Sequence, residues 1–180
     1  MANIWIISDT HFGHKNMAEV FLRTDGTKVR PFATVQEMDE QMIALWNAVV
    51  RPADHVWHLG DFAIPRGAVR YGLRLLGHKR LIRGNHDMYK TKEYLAAGFE
   101  EIRGCSVLDG MLFTHFPVHP QSLGRFKGNV HGHTHETAAY GPGYVNVCVE
   151  HTAYAPIAFE AVRKLVAQNP APPSREDHRR

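Results

Sequence analysis

The 180-residue chain predicts an α/β (α+β) fold, a helix-alternating start followed by an antiparallel half. Three observations predict it. Short apolar runs near the N-terminus each end in polar residues, as buried strands do. Stretches with helical spacing separate the first of those runs. In the second half, apolar runs follow one another with only turn signals between them, so strands cluster there.

The elements follow in order. Asn3–Asp9 (NIWIISD) reads as a buried strand. Thr34–Val50 reads as a helix: Thr34 and Glu37 have capping-box spacing, and Val35, Met38, Met42, Leu45, Trp46 and Val49 trace one face. Pro52 lies just past its end. Asp54–Asp61 is a second strand, Gly67–Leu76 a helix closed by Gly77, and Lys79–Asn85 a third strand. Thr91–Ala97 is a short helix stopped by Gly98. Phe99–His115 reads as a hairpin turning at Asp109-Gly110. Val130–His135 and Tyr144–Glu150 are strands separated by the GPG loop at 141–143, and Phe159–Gln168 is a closing helix. The last residues, NPAPPSREDHRR, read as a disordered tail at 169–180 after one domain at 1–168.

Composition narrows the function. With 44% hydrophobic and 22% charged residues the chain is ordinary globular material. The net charge of +3 does not demand a polyanionic partner. Cys105 and Cys148 stand alone, without metal-ribbon or disulfide spacing, and fit buried free thiols in a reducing compartment. No stretch reaches the ~20 apolar residues of a membrane-spanning helix, and the Ile4–Ile7 run is too short for a signal peptide. These points predict a cytoplasmic chain without a membrane partner. The unusual item is histidine, of which there are 13.

Those histidines are not scattered. Residues able to bind metal sit where apolar runs end: Asp9 and His11, Asp61, Asn85 and His86, His115, and His133 with His135. In open α/β sheets, sites form at the carboxyl ends of strands, so distant segments can converge there. Carboxylate, imidazole and amide oxygen without thiolate suit manganese first, with iron, zinc or nickel as further candidates. Asp9 and His11 are two apart, as are His133 and His135, which in extended chain puts each pair on one side.

These motifs give the chain its resemblance to the calcineurin-like metallophosphoesterases, and in particular to small prokaryotic and phage-type members. DTH at 9–11, GD at 60–61, GNHD at 84–87, His115 and GHTH at 132–135 occur in that family's order. The resemblance implies a four-layer αββα sandwich of two mixed β-sheets flanked by helices. It also implies two divalent metal ions. Asp9, His11 and His135 would hold one, Asn85, His115 and His133 the other, with Asp61 bridging. His86 would be the non-ligand acid beside the scissile phosphate, with Asp87 as its partner. Such a pair of ions activates hydroxide for in-line attack on phosphorus. The expected activity is phosphoester hydrolysis, most plausibly of phosphodiesters, with a nucleotide as one candidate substrate. Nothing in the sequence supports nucleic acid or specifies an oligomer.

Other residues carry weaker expectations. His14 and His119 each follow a ligand candidate on a loop and are candidates to contact phosphate, as is Arg83 before GNHD. His131 shares the parity of His133, but the ligand positions are filled without it, so it reads as a strand or supporting residue. His55, His58, His78 and His151 read as structural or surface residues. Arg66, Arg70 and Arg74 make a stripe at helical spacing, read as a solvated face rather than a nucleic-acid track. Two other functions compete. A non-catalytic binding scaffold of the same fold would lack ligands or His86, and all are present. A metallohydrolase built on the HxH of GHTHE alone would want Asp-His next, where this chain has Glu136-Thr137.

Overall fold

A computed structural model describes residues 2–137 and 140–172. Two mixed sheets with flanking helices make up the fold. In the first sheet, β1 (Ile4–Ile7), β2 (His55–His58), β3 (His78–Ile82) and β4 (Phe99–Arg103) run parallel, and β9 (Ile157–Ala158) adds antiparallel to β1. In the second, β5 (Cys105–Leu108) pairs antiparallel with β6 (Met111–Thr114), and β7 (Gly128–His131) and β8 (Tyr144–Asn146) follow parallel.

Alternation along the strands explains the layering. Ile7, Val56 and Leu81 face a core shared with α2 (Val35–Val49) and α3 (Thr91–Ala96). Their neighbours Ile6, Trp57 and Ile82 face the other way, into a core with Met111, Phe113 and Val130 of the second sheet and with α4 (Phe159–Gln168). The first sheet is thus covered on both faces, which is why β1 reads as an unbroken apolar run, IWII.

The helix expected at 34–50 forms as α2. Thr34 caps it, its Oγ1 accepting from the Glu37 amide at 3.1 Å. Met38, Met42, Ile43 and Trp46 are buried, while Leu45 turns outward. α1 (Lys15–Glu19) has too few residues to show a period and was not anticipated.

Four expectations need correction. The second half is not antiparallel: β6, β7 and β8 are parallel, because segments 115–127 and 132–143 are long enough to cross over, which takes about a dozen residues. The hairpin is confined to β5 and β6, with Asp109 (φ 49°) and Gly110 (φ 74°) in the left-handed turn that suits strand twist, while β4 joins the first sheet. The helix expected at 67–76 is a 3-10 helix over Arg66–Arg74. At about three residues per turn, positions four apart no longer share a face, so the arginine stripe dissolves. Arg66 pairs with Glu93 and Arg74 with Glu40 instead. Finally, Cys148 is buried but Cys105 is exposed. Most of the tail read as disordered, 173–180, lies outside the described residues. Asn169, at its start, is hydrogen-bonded to Gly141 and Tyr144.

Candidate metal centre

The parallel strands bring their carboxyl ends to one edge, and the loops that leave them carry the ligand candidates. Those loops are not extended. Asp9, His11, Asp61, His133 and His135 all have positive φ, between 44° and 68°. The two-apart pairs therefore meet through left-handed backbone rather than through strand parity. Such conformations cost about 1–3 kcal/mol each and persist only where surroundings enforce them. Here the enforcement is a lacing of loops. The amides of Asp9, His11 and Phe12 donate to the carbonyls of Gly60, Asp61 and Phe62, and Gly132 donates to His115.

Two groups of side chains converge, Asp9 with His11 and His135, and Asp61 with His115 and His133. Within each, one ligand atom per residue lies within 4.8 Å of the others. In the first group, Asp9 is fully buried. Its Oδ2 accepts from Ser8 Oγ (2.5 Å), the His133 amide (2.8 Å) and Cys148 Sγ (3.2 Å). Oδ1 is left buried without a partner, 3.6 Å from His11 Nε2 and 4.0 Å from His135 Nε2. Both ring nitrogens of His11 are also buried and unpartnered. Unpaired buried polar atoms are costly, and a cation among these three would satisfy Asp9 Oδ1 and His11 Nε2. Burial alone would raise the Asp9 carboxyl; the adjacent His11 imidazole, with His115 and His135, instead holds it well below the usual carboxylate range.

In the second group, Asp61 Oδ1 accepts from the His86 amide at 2.8 Å. Its Oδ2 faces His115 Nε2 at 3.4 Å and His11 Nε2 at 3.6 Å, so Asp61 stands between the two groups. His115 Nδ1 lies 2.9 Å from the Leu59 carbonyl and Nε2 lies 2.9 Å from Asn85 Oδ1. Both nitrogens face oxygen acceptors, an arrangement that either a second proton or a cation on Nε2 satisfies. Glycine is required beside both groups: a Cβ on Gly84 would lie 2.2 Å from Asp61 Oδ1, and one on Gly132 would lie 2.0 Å from Ser8 Oγ.

The calcineurin-like phosphoesterase family model matches residues 2–120. The chain belongs to the calcineurin-like phosphoesterase family. Across 92% of its length it is 32% identical to an uncharacterised protein of Methanocaldococcus jannaschii, 92% of which is covered. It is 37% identical over 94 residues to the gene 66 protein of Mycobacterium phage L5, matching 48% of this chain and 41% of that one. A crystal structure of a protein of unknown function from Aquifex aeolicus superposes with a TM-score of 0.65 at 26% identity, covering 92% of this chain and all of that one (100%). No helix among the described residues is long and apolar enough to cross a membrane.

The remaining candidates of this calcineurin-like phosphoesterase chain divide. His86 is exposed at the mouth, its ring 5.4 Å from that of His11. His14 also lies beside His11, ring to ring at 5.6 Å, with its pKa lowered to about 4 chiefly by burial and then by the neighbouring His11 and His86. Asp87 does not partner His86. Its carboxylate is buried and holds three main-chain amides, those of Asp61 and Gly84 on Oδ2 and that of Phe62 on Oδ1. Arg83 is not a free phosphate clamp, because its guanidinium donates to the carbonyls of Asp87 and Tyr89 and to Thr91 Oγ1. His119 accepts from the Gln121 amide and caps the short 3-10 turn Pro120–Ser122. His131 is buried in β7, with Nδ1 near the Gly132 carbonyl, and belongs to neither group.

Sequence reasoning missed two supports. Arg30 is fully buried and donates to the carbonyls of Asp9 and Thr10. Glu150 Oε1 lies 3.2 Å from His135 Nδ1. Glu150 closes an expected strand, so the strand-end signal that selects Asp9 applied to it as well; Arg30 stands in irregular chain and gave no signal. His58, read as structural, ties the loop after β1 to the loop after β2 through Thr10 Oγ1 (3.0 Å) and the Gly60 amide (3.2 Å).

Proposed function

We propose that this chain is a metal-dependent phosphodiesterase working through two divalent ions. One is held by Asp9, His11 and His135, the other by Asn85, His115 and His133, with Asp61 shared. The observation that carries the reading is Asp61 Oδ2, which faces a histidine of each group at 3.4 and 3.6 Å. A carboxylate suits that place because its charge and two oxygens serve two cations. When bound, the ions would polarise phosphoryl oxygens and render water acidic enough to ionise near neutral pH. The donor set favours manganese, with iron, zinc or nickel as alternatives.

The chain's own groups supply the rest. Exposed His86 stands beside His11 outside both groups, which supports its reading as the proton donor to the leaving oxygen. The hydrogen bond that its main-chain N–H donates to Asp61 Oδ1 fixes its main chain against the shared carboxylate. Three arginines near the ligand loops are already engaged: Arg23 with Glu136, Arg30 with Glu150, and Arg83 with carbonyls. Those engagements compete with clamping the second negative charge of a monoester, which favours a singly charged diester, with nucleotide diesters among the candidates.

The test is a panel of manganese, nickel, magnesium and zinc with an aryl phosphodiester and the matching aryl phosphomonoester. The reading expects manganese-dependent hydrolysis, faster for the diester. Protein that binds divalent ions yet hydrolyses neither ester would overturn it in favour of a binding scaffold.

A further inference from the structure

The two groups are supported differently, and on the two-ion reading the difference has a function. His115 Nδ1 faces a neutral main-chain carbonyl, that of Leu59. His135 Nδ1 faces a carboxylate, Glu150 Oε1, at 3.2 Å. That oxygen also takes Arg30 Nε at 2.9 Å and Arg30 Nη2 at 2.8 Å. Arg30 is 0% exposed, and the Glu150 side chain is 4% exposed. The rest of the guanidinium reaches the other two residues' loop: Nη2 donates to the Asp9 carbonyl (2.5 Å) and Nη1 to the Thr10 carbonyl (2.8 Å). Nη1 also lies 3.6 Å from Met38 Sδ on α2.

We propose that Arg30 and Glu150 are a buried positioning pair that builds the Asp9–His11–His135 half of the centre and leaves the other half unaffected. A carboxylate on Nδ1 of a ligating histidine fixes the tautomer that presents Nε2 as a lone pair and raises its basicity. Glu150 does this for His135, whose Nε2 faces Asp9 Oδ1. Arg30 neutralises Glu150, which otherwise would be a buried uncompensated charge. With the same guanidinium it ties down the left-handed segment carrying Asp9 and His11. One cation thereby sets the separation between residues that lie more than a hundred positions apart in the chain. Neither side chain touches substrate; both act through the ligands.

The test is calorimetric titration of manganese into metal-free protein, wild type against Glu150→Gln and against the double variant Arg30→Met, Glu150→Gln. The double variant removes both charges at similar volume, so no lone ion is left buried. Loss of such a supporting partner typically weakens metal binding about 10–100-fold. The expected result is that loss at one of two sites, with the other unchanged and hydrolysis recovered at high manganese. Folded variants that bind both ions with wild-type affinity overturn this inference alone. Wild-type protein that binds no manganese overturns the two-ion reading and this inference with it.

Discussion

Asp87 Oδ2 accepts the main-chain amide of Asp61 at 2.8 Å, and the same carboxylate takes the amides of Phe62 and Gly84. The loop after β2 and the loop after β3 are therefore joined at one buried side chain. Asp87→Asn sets an NH2 group against at least one of these donors and leaves it unsatisfied, at a cost of about 1–3 kcal/mol. Urea unfolding should show that loss. Unchanged stability with reduced turnover would instead return Asp87 to the role of partner for His86.

His86 offers the opposite dissociation. It is exposed and belongs to neither ligand group, so His86→Ala should keep the fold and both ions. Turnover should fall by about 10²-fold or more, the scale of a lost acid catalyst. Measuring kcat beside metal content separates the cases. A variant that loses metal would show that His86 is a ligand.

Gly132 tests how closely the backbone must approach. An added Cβ would lie 2.0 Å from Ser8 Oγ and 2.2 Å from Asp9 Oδ2. Gly132→Ala must displace Ser8 or Asp9, and overpacking of this kind costs about 1–3 kcal/mol. Thermal unfolding should register the cost, and metal analysis should register a loss of bound metal. Wild-type stability and metal content would mean that the loop yields freely.

His58 gives a pH dependence with a definite sign. Thr10 Oγ1 donates to the Phe62 carbonyl, so its oxygen accepts from His58 Nε2–H, while Nδ1 accepts from the Gly60 amide. Burial pushes the His58 pKa down to about 3 from 6.5. Below pH 6.5 the unfolded chain takes up a proton that the folded chain refuses. The stability that neutral His58 contributes is thus complete above 6.5 and falls as pH drops toward 3. At pH 5 the loss is on the order of 2 kcal/mol. His58→Gln should flatten that dependence between pH 7 and 5 in chemical unfolding. An equal slope in wild type and variant would contradict it.

Much of this was legible in the sequence because strand ends are local signals. Ile7, His58 and Ile82 end their strands just before the segments with Asp9, Asp61 and Asn85, and the Asp109-Gly110 turn announced its hairpin. Long-range pairing was not legible: nothing local tells β6 and β7 to run parallel. Nor does residue type reveal the positive φ of Asp9 or His135, which only the laced loops enforce. Asp87 was expected beside His86 from the family resemblance, whereas the three amides it holds come together only on folding. Arg30 was invisible for the same reason, since its partners Asp9, Thr10 and Glu150 come together only in the fold.

The central claim is that the two groups hold two ions with Asp61 between them. Anomalous diffraction from a crystal soaked in manganese, measured at the manganese edge, tests it most directly. The account predicts two peaks, one amid Asp9, His11 and His135 and one amid Asn85, His115 and His133, with Asp61 touching both. A single peak, or peaks away from Asp61, would contradict it.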